Sequence, residues 1–349
     1  MNWFASKRIM VTGGDGFLGK FVVRKLAESG CRDIFIPTID TYNLLDMTAV
    51  KRAFKDSKPD IVIHLAAKVG GIGITREKPA ESFYENIMMG LQTMEHARLA
   101  GVQKFVALGS VCAYPKNILI PAKEEYLWDG YPEATNAPYG LAKKMLLVQA
   151  QTYRQQYGFN AIYLLPVNLY GPGDNFNPKT SHVIPALIKK CFDAVEHGDK
   201  EVIVWGTGKP TREFLYVEDA AEAIVLATEK YNKPDPVNLG SGFEISVAEL
   251  ANLIIRLTGF KGKLVWDVSK PDGQPRRRFD TTRAEKEFGF KEKTGFEEGL
   301  QKTIEWYKEQ RSINPSVSPF TKVRNEREGE NFPSFVKRAH PSTEGLREI

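Results

Sequence analysis

The first half of the chain alternates short β-rich apolar runs with longer segments whose apolar residues recur at helical spacing. This alternation predicts a parallel sheet covered by helices on both faces, which is an α/β fold. The runs that we predict as strands of this sheet are Lys7–Thr12, Asp33–Pro37, Asp60–Leu65, Lys104–Gly109 and Asn160–Val167. The helical pattern covers Phe17–Glu28, Met88–Ala100 and Pro138–Tyr157.

The pattern changes in the second half of the chain. From Gly171 onward, glycine, proline and aromatic residues become more frequent and the strict alternation loosens. We therefore expect a first domain over residues 1–171, to which some later segments return, and a smaller α/β lobe over residues 172–312. Residues 313–349 are polar and charged with little periodicity, and we expect a loosely ordered tail there.

Composition excludes several classes of protein. With 349 residues, 42% of them hydrophobic, the chain can bury a core, yet it has no apolar run near the ~20 residues that span a bilayer. Its three cysteines, Cys31, Cys112 and Cys191, are too few and too scattered for a disulfide framework or a zinc site. We therefore expect a reducing cytoplasm and no metal. No basic stripe interleaves with aromatic residues, so the net charge of +5 fits anionic small molecules better than nucleic acid.

A glycine-rich turn follows the first predicted strand and opens the first helix. Gly13, Gly16 and Gly19 permit a tight turn, close approach of a pyrophosphate and close packing of helix on strand. The helix N-terminus then presents backbone N–H groups to the phosphates. The turn, with Phe17 and Leu18 beginning the helix, predicts a dinucleotide site.

The choice between NAD and NADP depends on the end of the second strand. There an acid binds the ribose hydroxyls of NAD, whereas an arginine accommodates the 2′-phosphate of NADP. This chain reads Ile36-Pro37-Thr38-Ile39-Asp40, with neither residue type directly after the strand. Asp40 comes late, and it either contacts the ribose or caps the next segment, so the residues leave this choice open.

Tyr139 and Lys143 are candidate catalytic residues. They lie four residues apart on one face of a helix that Pro138 is well placed to begin. A nearby ammonium is expected to lower the pKa of the phenol from its usual ~10 toward the working range. Ser110 ends a predicted strand, where a parallel sheet presents ligands, and could hold a substrate oxygen beside Tyr139. Such a pair alone is usually a plain helix face, but the glycine turn and Ser110 make it a stronger signal.

Together, Thr12–Gly19, His64–Ala67, Ser110 and Tyr139–Lys143 resemble the extended short-chain dehydrogenase/reductase family. Within it, the chain looks like the GDP-4-keto-6-deoxy-mannose 3,5-epimerase/4-reductases over roughly residues 6–310. The stretches most specific for that group are Ala67–Ile72, Gly109–Lys116, Asn168–Phe176, Ser181–Leu187, Val204–Gly208, Arg212–Phe214 and Ser269–Gly273.

The resemblance implies a Rossmann-like doubly wound sheet with a smaller C-terminal substrate lobe, and a two-part reaction that yields GDP-L-fucose. Cys112 and His182 match the base and acid that invert sugar carbons 3 and 5. Ser110, Tyr139 and Lys143 match the residues that support reduction at carbon 4 by hydride from NADPH. The group usually forms homodimers, here through helices Met88–Ala100 and Met145–Tyr157, although the same apolar stripes could be monomer core.

The resemblance also implies the binding residues. For the cofactor they are Gly13, Gly16, Phe17, Leu18, Gly19, Asp40, Asp46, Leu65, Ala66, Ala67, Asn86, Tyr139, Lys143, Pro166, Asn168, Leu169 and His182. For a GDP-sugar they are Ser110, Val111, Cys112, Asn168, Val183, Lys190, Trp205, Arg212 and Lys270. Arg212 could instead pair with Glu213 or Glu218, and the run Arg276–Arg278 either touches the diphosphate or is solvated.

The sequence departs from its relatives at the cofactor end. Relatives that use NADPH commonly carry arginine in the glycine turn or after the second strand, where this chain has Asp15, Pro37 and Ile39. A carboxylate near a 2′-phosphate is unfavourable. The resemblance therefore implies NADP(H) as the cofactor, and NAD(H) stays open. For the reaction, the alternatives are an enzyme that acts on a GDP-heptose or one that performs only the epimerisation or only the reduction. A dead fold is disfavoured because Tyr139 and Lys143 are both kept.

Overall fold

The fold was examined in a computed structural model, which describes residues 2–70, 72–270, 272–313 and 335–338. The strands are β1 (Arg8–Thr12), β2 (Asp33–Ile36), β3 (Ile61–His64), β4 (Lys104–Leu108), β5 (Ala161–Pro166), β6 (Asn168–Tyr170), β7 (Glu201–Trp205), β8 (Thr211–Tyr216), β9 (Val237–Leu239), β10 (Glu244–Ser246), β11 (Lys263–Asp267) and β12 (Val336–Arg338). The helices are α1 (Phe17–Glu28), α2 (Met47–Ser57), α3 (Ile72–Glu77), α4 (Pro79–Leu99), α5 (Ala137–Tyr157), α6 (Val183–His197), α7 (Val217–Lys230), α8 (Val247–Thr258), α9 (Thr282–Phe288) and α10 (Phe296–Ile313).

The central sheet is parallel, in the order β12-β2-β1-β3-β4-β5-β9. Its inner strands β3, β4 and β5 are buried at every position, which explains their continuous apolar runs. Helices α1 and α7 pack together, and so do α2, α4 and α5. The predicted α/β class with a doubly wound parallel sheet is confirmed.

A second, smaller core lies in the later part of the chain. Two small sheets, β10-β8-β6 and β11-β7, pack with helices α6, α8 and α10 around it. The chain then returns to the first sheet, since β9 pairs with β5 and α9 packs on β9. Within the described residues, no helix is long and apolar enough to cross a membrane.

Two segments differ from the sequence-based expectation. Helix α4 begins at Pro79 rather than Met88. The sequence pattern did not reveal its first part, because buried polar residues such as Ser82 and Asn86 interrupt the apolar spacing. In the expected tail, helix α10 runs to Ile313, and residues 336–338 form strand β12 beside β2. The remainder of the tail lies outside the described residues.

Candidate active site

A cavity of about 2030 Å³ lies between the carboxyl edge of the central sheet and the smaller core. Both parts of the chain line it, for example Gly13 and Ser110 from the first and Trp205 and Arg212 from the second. Pockets for one small ligand are typically no larger than ~1,000 Å³. The cavity can therefore hold two large ligands side by side.

The glycine turn forms one end of this cavity. Gly13 has φ +70°, and a Cβ added to it would lie 2.9 Å from the backbone nitrogen of Ala66, so only glycine suits this contact. Gly16 is the N-cap of α1 and offers no side chain to the first N–H groups of the helix. Because Gly16, Phe17 and Leu18 line the cavity, those N–H groups suit a phosphate there. The residues fit a dinucleotide.

The loop after β3 faces the glycine turn and is held by Asn86. The Asn86 Oδ1 accepts the Lys68 N–H at 2.9 Å, and its Nδ2 donates to the carbonyls of Lys68 at 3.1 Å and Ser82 at 2.7 Å. Asn86 is buried and does not line the cavity. It therefore fixes the cofactor loop from behind.

Ser110, Tyr139 and Lys143 meet on the cavity wall. Ser110 follows β4, and its hydroxyl accepts the Cys112 N–H at 3.2 Å and hydrogen-bonds with Tyr139. Pro138 sits in the first turn of α5, and Tyr139 and Lys143 follow on one face of that helix. The three predicted side chains are thus brought together by a strand end and a helix start.

The acidity of this group corrects one expectation. Burial raises the pKa of Tyr139, and the charge of Cys112 adds to this, while the hydrogen bond with Ser110 lowers it. Burial also lowers the pKa of Lys143 to about 8. The expectation that the ammonium lowers the pKa of Tyr139 is wrong for this structure, because removal from water favours the neutral form of both groups.

Cys112 is close to both Tyr139 and Arg212. It is in a short 3-10 helix, Val111–Ala113, and a Cβ on Gly140 would lie 2.3 Å from its carbonyl oxygen, so glycine lets α5 approach this turn. Charge on Cys112 raises the pKa of both Tyr139 and Arg212, which shows that it is close to each. Cys112 lines the cavity, so its thiol is positioned to act as a base there.

The other two cysteines are in different environments. Cys31 and Cys191 are buried, and burial raises the pKa of each thiol, that of Cys191 to about 11. A raised pKa disfavours the reactive thiolate. Of the three thiols, Cys112 alone reaches the cavity.

His182 lies on the smaller core's side of the same cavity. It is the N-cap residue of α6, and its ring is open to the cavity space rather than packed in the core. Surrounding protein still removes it from bulk water, and this burial lowers the pKa of the imidazole. Burial thus favours the neutral imidazole, which can accept a proton and then pass it to a bound molecule.

Arg212 reaches the cavity from β8. Its Nη1 donates to the carbonyls of Thr211 at 2.8 Å and Gln274 at 2.6 Å. Burial and the charge of Arg277 lower the pKa of Arg212 to about 10. Neither alternative partner holds it: Glu213 is buried against backbone N–H groups, and Glu218 pairs with Arg24. Arg212 is positioned for an anion.

Arg277 is a cavity residue that sequence reasoning did not single out from its run. Its Nε donates to Gln274 at 2.8 Å and its Nη1 to the carbonyl of Val111 at 3.0 Å. Its Nη2 is buried without a hydrogen-bond partner. The neighbours Arg276 and Arg278 turn away to Glu244 and the Gly242 carbonyl. In an extended segment successive side chains point to opposite sides, and this alternation could have separated Arg277 from its two neighbours.

Asp174 is a second cavity residue that the sequence did not reveal. Its carboxyl is buried, Oδ1 accepts the Asn175 N–H at 2.6 Å, and Oδ2 has no hydrogen-bond partner. Burial raises its pKa to about 7. A carboxyl so placed can hold a proton near neutral pH, and its position within the motif Asn168–Phe176 was the only hint.

Most of the residues predicted for cofactor or substrate line this one cavity. They are Gly13, Gly16, Phe17, Leu18, Gly19, Leu65, Ala66, Ala67, Ser110, Cys112, Tyr139, Lys143, Pro166, Asn168, Leu169, His182, Val183, Trp205 and Arg212.

Other predicted residues lie outside the lining, Asn86 among them. The Asp46 carboxylate caps α2 by accepting the Thr48 N–H at 2.8 Å. Asp40 is exposed in a turn, and Val111 is buried in the core. The roles of Asp46, Asp40 and Val111 in binding therefore stay predictions, and in this structure each side chain is directed by its local helix or turn.

Two predicted lysines lie beside the cavity rather than in its lining. The ammonium groups of Lys190 and Lys270 are 5.9 and 5.6 Å from the centre of the Trp205 ring. Lys190 also donates to the carbonyl of Ile203 at 2.8 Å. Both therefore place positive charge beside an exposed aromatic ring.

The parallel sheet, the glycine turn and the set of Ser110, Tyr139 and Lys143 are those of an enzyme that uses a dinucleotide to act on a nucleotide sugar. The model of the NAD dependent epimerase/dehydratase family matches residues 9–240, and the chain belongs to that family. It is similar to GDP-L-fucose synthase 1 of Arabidopsis thaliana, with 41% identity over 302 residues, which is 86% of this chain and 93% of that protein. The resemblance inferred from the motifs is confirmed.

Solved structures agree with this placement. A GDP-L-fucose synthetase from Naegleria fowleri bound to NADP is similar with TM-score 0.82 and 29% identity, over 89% of this chain and 97% of that one. A GDP-6-OMe-4-keto-L-xylo-heptose reductase from C. jejuni is similar with TM-score 0.82 and 30% identity, over 89% of this chain and all of that one.

Proposed function

We propose that this protein converts GDP-4-keto-6-deoxy-D-mannose to GDP-L-fucose, by epimerisation at carbons 3 and 5 and reduction at carbon 4. The observation that carries the proposal is that Cys112 and His182 share one cavity with Ser110, Tyr139 and Lys143. A reductase alone needs only the last three. The similarity to GDP-L-fucose synthases supports the substrate.

The cofactor of the reduction is NADP(H), which supplies hydride to the substrate ketone when bound. The N-terminus of α1 with Gly13 and Gly16 would hold its pyrophosphate, and the loop Leu65–Ala67 would border it. Lys143 would hold the nicotinamide ribose. The NADP-bound structure from Naegleria fowleri supports this cofactor.

In the epimerisation, Cys112 as thiolate removes a proton from the carbon beside the ketone. The electron pair left on carbon moves onto the ketone oxygen, and Arg212 and Arg277 line the same cavity as cations that would stabilise the resulting charge. His182, on the smaller core's side of the cavity and protonated at this stage, returns a proton to the other face of the same carbon. Cys112 then releases its proton to solvent and His182 takes one up, so that the same exchange at the second carbon completes the inversion.

In the reduction, the ketone at carbon 4 becomes a hydroxyl. Ser110 and Tyr139 donate hydrogen bonds to the ketone oxygen, and Tyr139 gives up its proton as the oxygen gains charge. The raised pKa of Tyr139 keeps this proton in place at neutral pH. Lys143, with a pKa of about 8, is mostly cationic at pH 7 and stabilises the tyrosinate that forms.

A second candidate is a GDP-heptose epimerase or reductase. The similarity to the C. jejuni heptose reductase favours it. Reduction alone would leave the cavity position of Cys112 without a role.

We also propose a cytoplasmic homodimer. The free thiols support a reducing compartment. The outer faces of α4 and α5 carry the exposed apolar residues Tyr84, Leu99 and Tyr157, which would be covered by a second copy. Light scattering of the purified protein would give the mass of the assembly.

The test of function is incubation with GDP-4-keto-6-deoxy-mannose and either NADPH or NADH, with cofactor oxidation followed by absorbance and the product identified by proton NMR. We expect GDP-L-fucose and faster turnover with NADPH. Deuterium uptake at carbons 3 and 5 in heavy water without cofactor oxidation would mean an epimerase alone. Absence of both turnover and exchange would exclude GDP-4-keto-6-deoxy-mannose as the substrate, and GDP-heptose ketones would be tested next.

A further inference from the structure

Two loops of the smaller core form one end of the cavity. Strands β7 and β11 are parallel neighbours, with Trp205, the last residue of β7, opposite Asp267, the last residue of β11. The loops that follow them therefore leave the same edge, and the Gly206 N–H donates to the Asp267 carbonyl at 2.9 Å. Trp205 is exposed, and the ammonium of Lys270, from the second loop, lies 5.6 Å from the centre of its ring. An exposed aromatic ring with a cation beside it suits a nucleobase and its phosphates.

Asp272 joins these two loops. Its Oδ1 accepts the Thr207 N–H at 2.6 Å, and its Oδ2 accepts the Thr207 hydroxyl at 2.7 Å. Gly206 has φ +85°, and a Cβ added to it would lie 2.3 Å from the Asp272 Oδ1, so only glycine admits the carboxylate here. The hydrogen bonds from Thr207 lower the pKa of Asp272. The carboxylate is therefore charged at neutral pH, and both hydrogen bonds are charge-assisted.

The backbone of Asp272 also supports Arg212. The Asp272 carbonyl accepts a hydrogen bond from the Arg212 Nη2 at 3.3 Å, in addition to the two carbonyls that accept from Nη1. The next residue, Gly273, has φ +74°, and a Cβ there would lie 3.4 Å from the same Nη2. Through its side chain and its backbone, Asp272 thus connects the loop after β7, the loop after β11 and the guanidinium of Arg212.

The charge of Asp272 does not by itself favour an anionic ligand. The residue lines the cavity together with Arg212, and a carboxylate at this place repels a diphosphate. Both of its oxygens, however, accept hydrogen bonds from Thr207. Loops that are held in place before a ligand arrives lose less conformational entropy on binding. The contacts of Asp272 therefore favour binding through the arrangement of the loops.

We propose that Asp272 is a positioning residue for the nucleotide part of a GDP-sugar. By binding Thr207 it fixes the loops after β7 and β11, which present an exposed ring and a cation, and its carbonyl holds Arg212 beside them. This inference rests on the proposed GDP-sugar substrate, but not on whether the protein performs both steps of the reaction.

The test is isothermal titration calorimetry of the full-length protein with GDP and, separately, with NADPH. We expect Asp272→Ala to weaken GDP binding by about tenfold, because both charge-assisted hydrogen bonds between the loops are lost. NADPH affinity should be unchanged, because the glycine turn lies at the other end of the cavity. The direction of the change is informative. If the carboxylate acted only through its charge, its removal would tighten the binding of the anionic GDP.

Matched variants test whether the effect arises from the contact with Thr207. Thr207→Val removes the hydroxyl and should weaken GDP binding by about threefold. Combined with Asp272→Ala it should cause no further loss, because both changes break the same contact. Thr207→Ser keeps the hydroxyl and should bind GDP as the wild type does. Asp267→Ala removes an equal charge whose side chain bonds to Ser269 in its own loop, and it should also spare GDP binding.

Kinetics separate positioning from a general loss of structure. In Asp272→Ala the KM for the GDP-sugar ketone should rise as GDP affinity falls, while kcat stays within about twofold, because the groups that react with the sugar are unchanged. Unchanged or tighter GDP binding in Asp272→Ala, additive losses in the double variant, or a parallel loss of kcat and NADPH affinity would overturn the inference and leave the substrate assignment intact. A wild-type protein that does not bind GDP would overturn the inference and the proposed function together.

Discussion

The residues proposed for reduction and those proposed for epimerisation are held in different ways. Ser110, Tyr139 and Lys143 lie on a strand end and the first turns of one helix, and Lys143 is only 2% exposed. Cys112 lies in a short turn beside the central sheet, and His182 lies at the N-terminus of a helix that packs in the smaller core. One set belongs to a single rigid layer, and the other spans two.

The difference follows the chemistry of each step. Hydride transfer requires one fixed distance and angle, which a buried strand and helix provide. Proton exchange at two carbons of one sugar requires groups on both faces of the ring, so no single layer can supply them. We infer that the two half-reactions can be separated by mutation, and the predictions below test that separation.

The largest expected effect is that of Tyr139→Phe on reduction. Loss of the hydroxyl that protonates the carbon 4 oxygen should slow cofactor oxidation by roughly 10²- to 10⁴-fold. Deuterium exchange at carbons 3 and 5 should continue, because Cys112 and His182 are intact. Equal loss of both activities would show that the two sets act as a unit and would contradict the inferred separation of the two half-reactions. Exchange measured by NMR beside cofactor absorbance gives both rates on one sample.

A smaller effect is expected for Cys112→Ala on exchange. Loss of the thiolate base should slow deuterium uptake at carbons 3 and 5 by roughly 10²-fold or more, while hydride transfer to the ketone persists. The product should then keep the configuration that the substrate has at carbons 3 and 5. Cys31→Ala is the matched control, because it removes a buried thiol away from the cavity and should spare both rates. Normal exchange in Cys112→Ala would assign the base elsewhere.

The smallest expected effect is a difference in pH dependence. Lys143 has a pKa of about 8, lowered by burial, so its charge is present below that pH and lost above it. If reduction needs the ammonium, kcat/KM for reduction should fall about tenfold for each pH unit above 8. Deuterium exchange at carbons 3 and 5, measured on the same samples, shows whether this fall is confined to reduction. A reduction profile that is flat to pH 9.5 would contradict the role of Lys143.

Features with a local cause could be predicted from the sequence. The strands, the glycine turn and the Tyr139–Lys143 spacing each depend on residues close in the chain, and the structure brings them to one cavity. The family followed from the same local motifs.

Features set by long-range packing could not be predicted in this way. The middle arginine of three, Arg277, enters the cavity only because its segment crosses beside β8, which places Arg276 opposite Thr211. The acidity of Tyr139 depends on how completely the cavity wall excludes water. Strand β12 is three residues in a polar region, too short for any periodicity to reveal.

The return of the chain to the central sheet has a consequence for biosynthesis. Strand β9, the last partner of β5, comes from residues 237–239, after β6, α6, β7 and β8 of the smaller core have been made. Until those residues leave the ribosome, β5 is an open apolar edge able to pair with another chain. The central sheet can therefore not be completed before part of the smaller core has been synthesised.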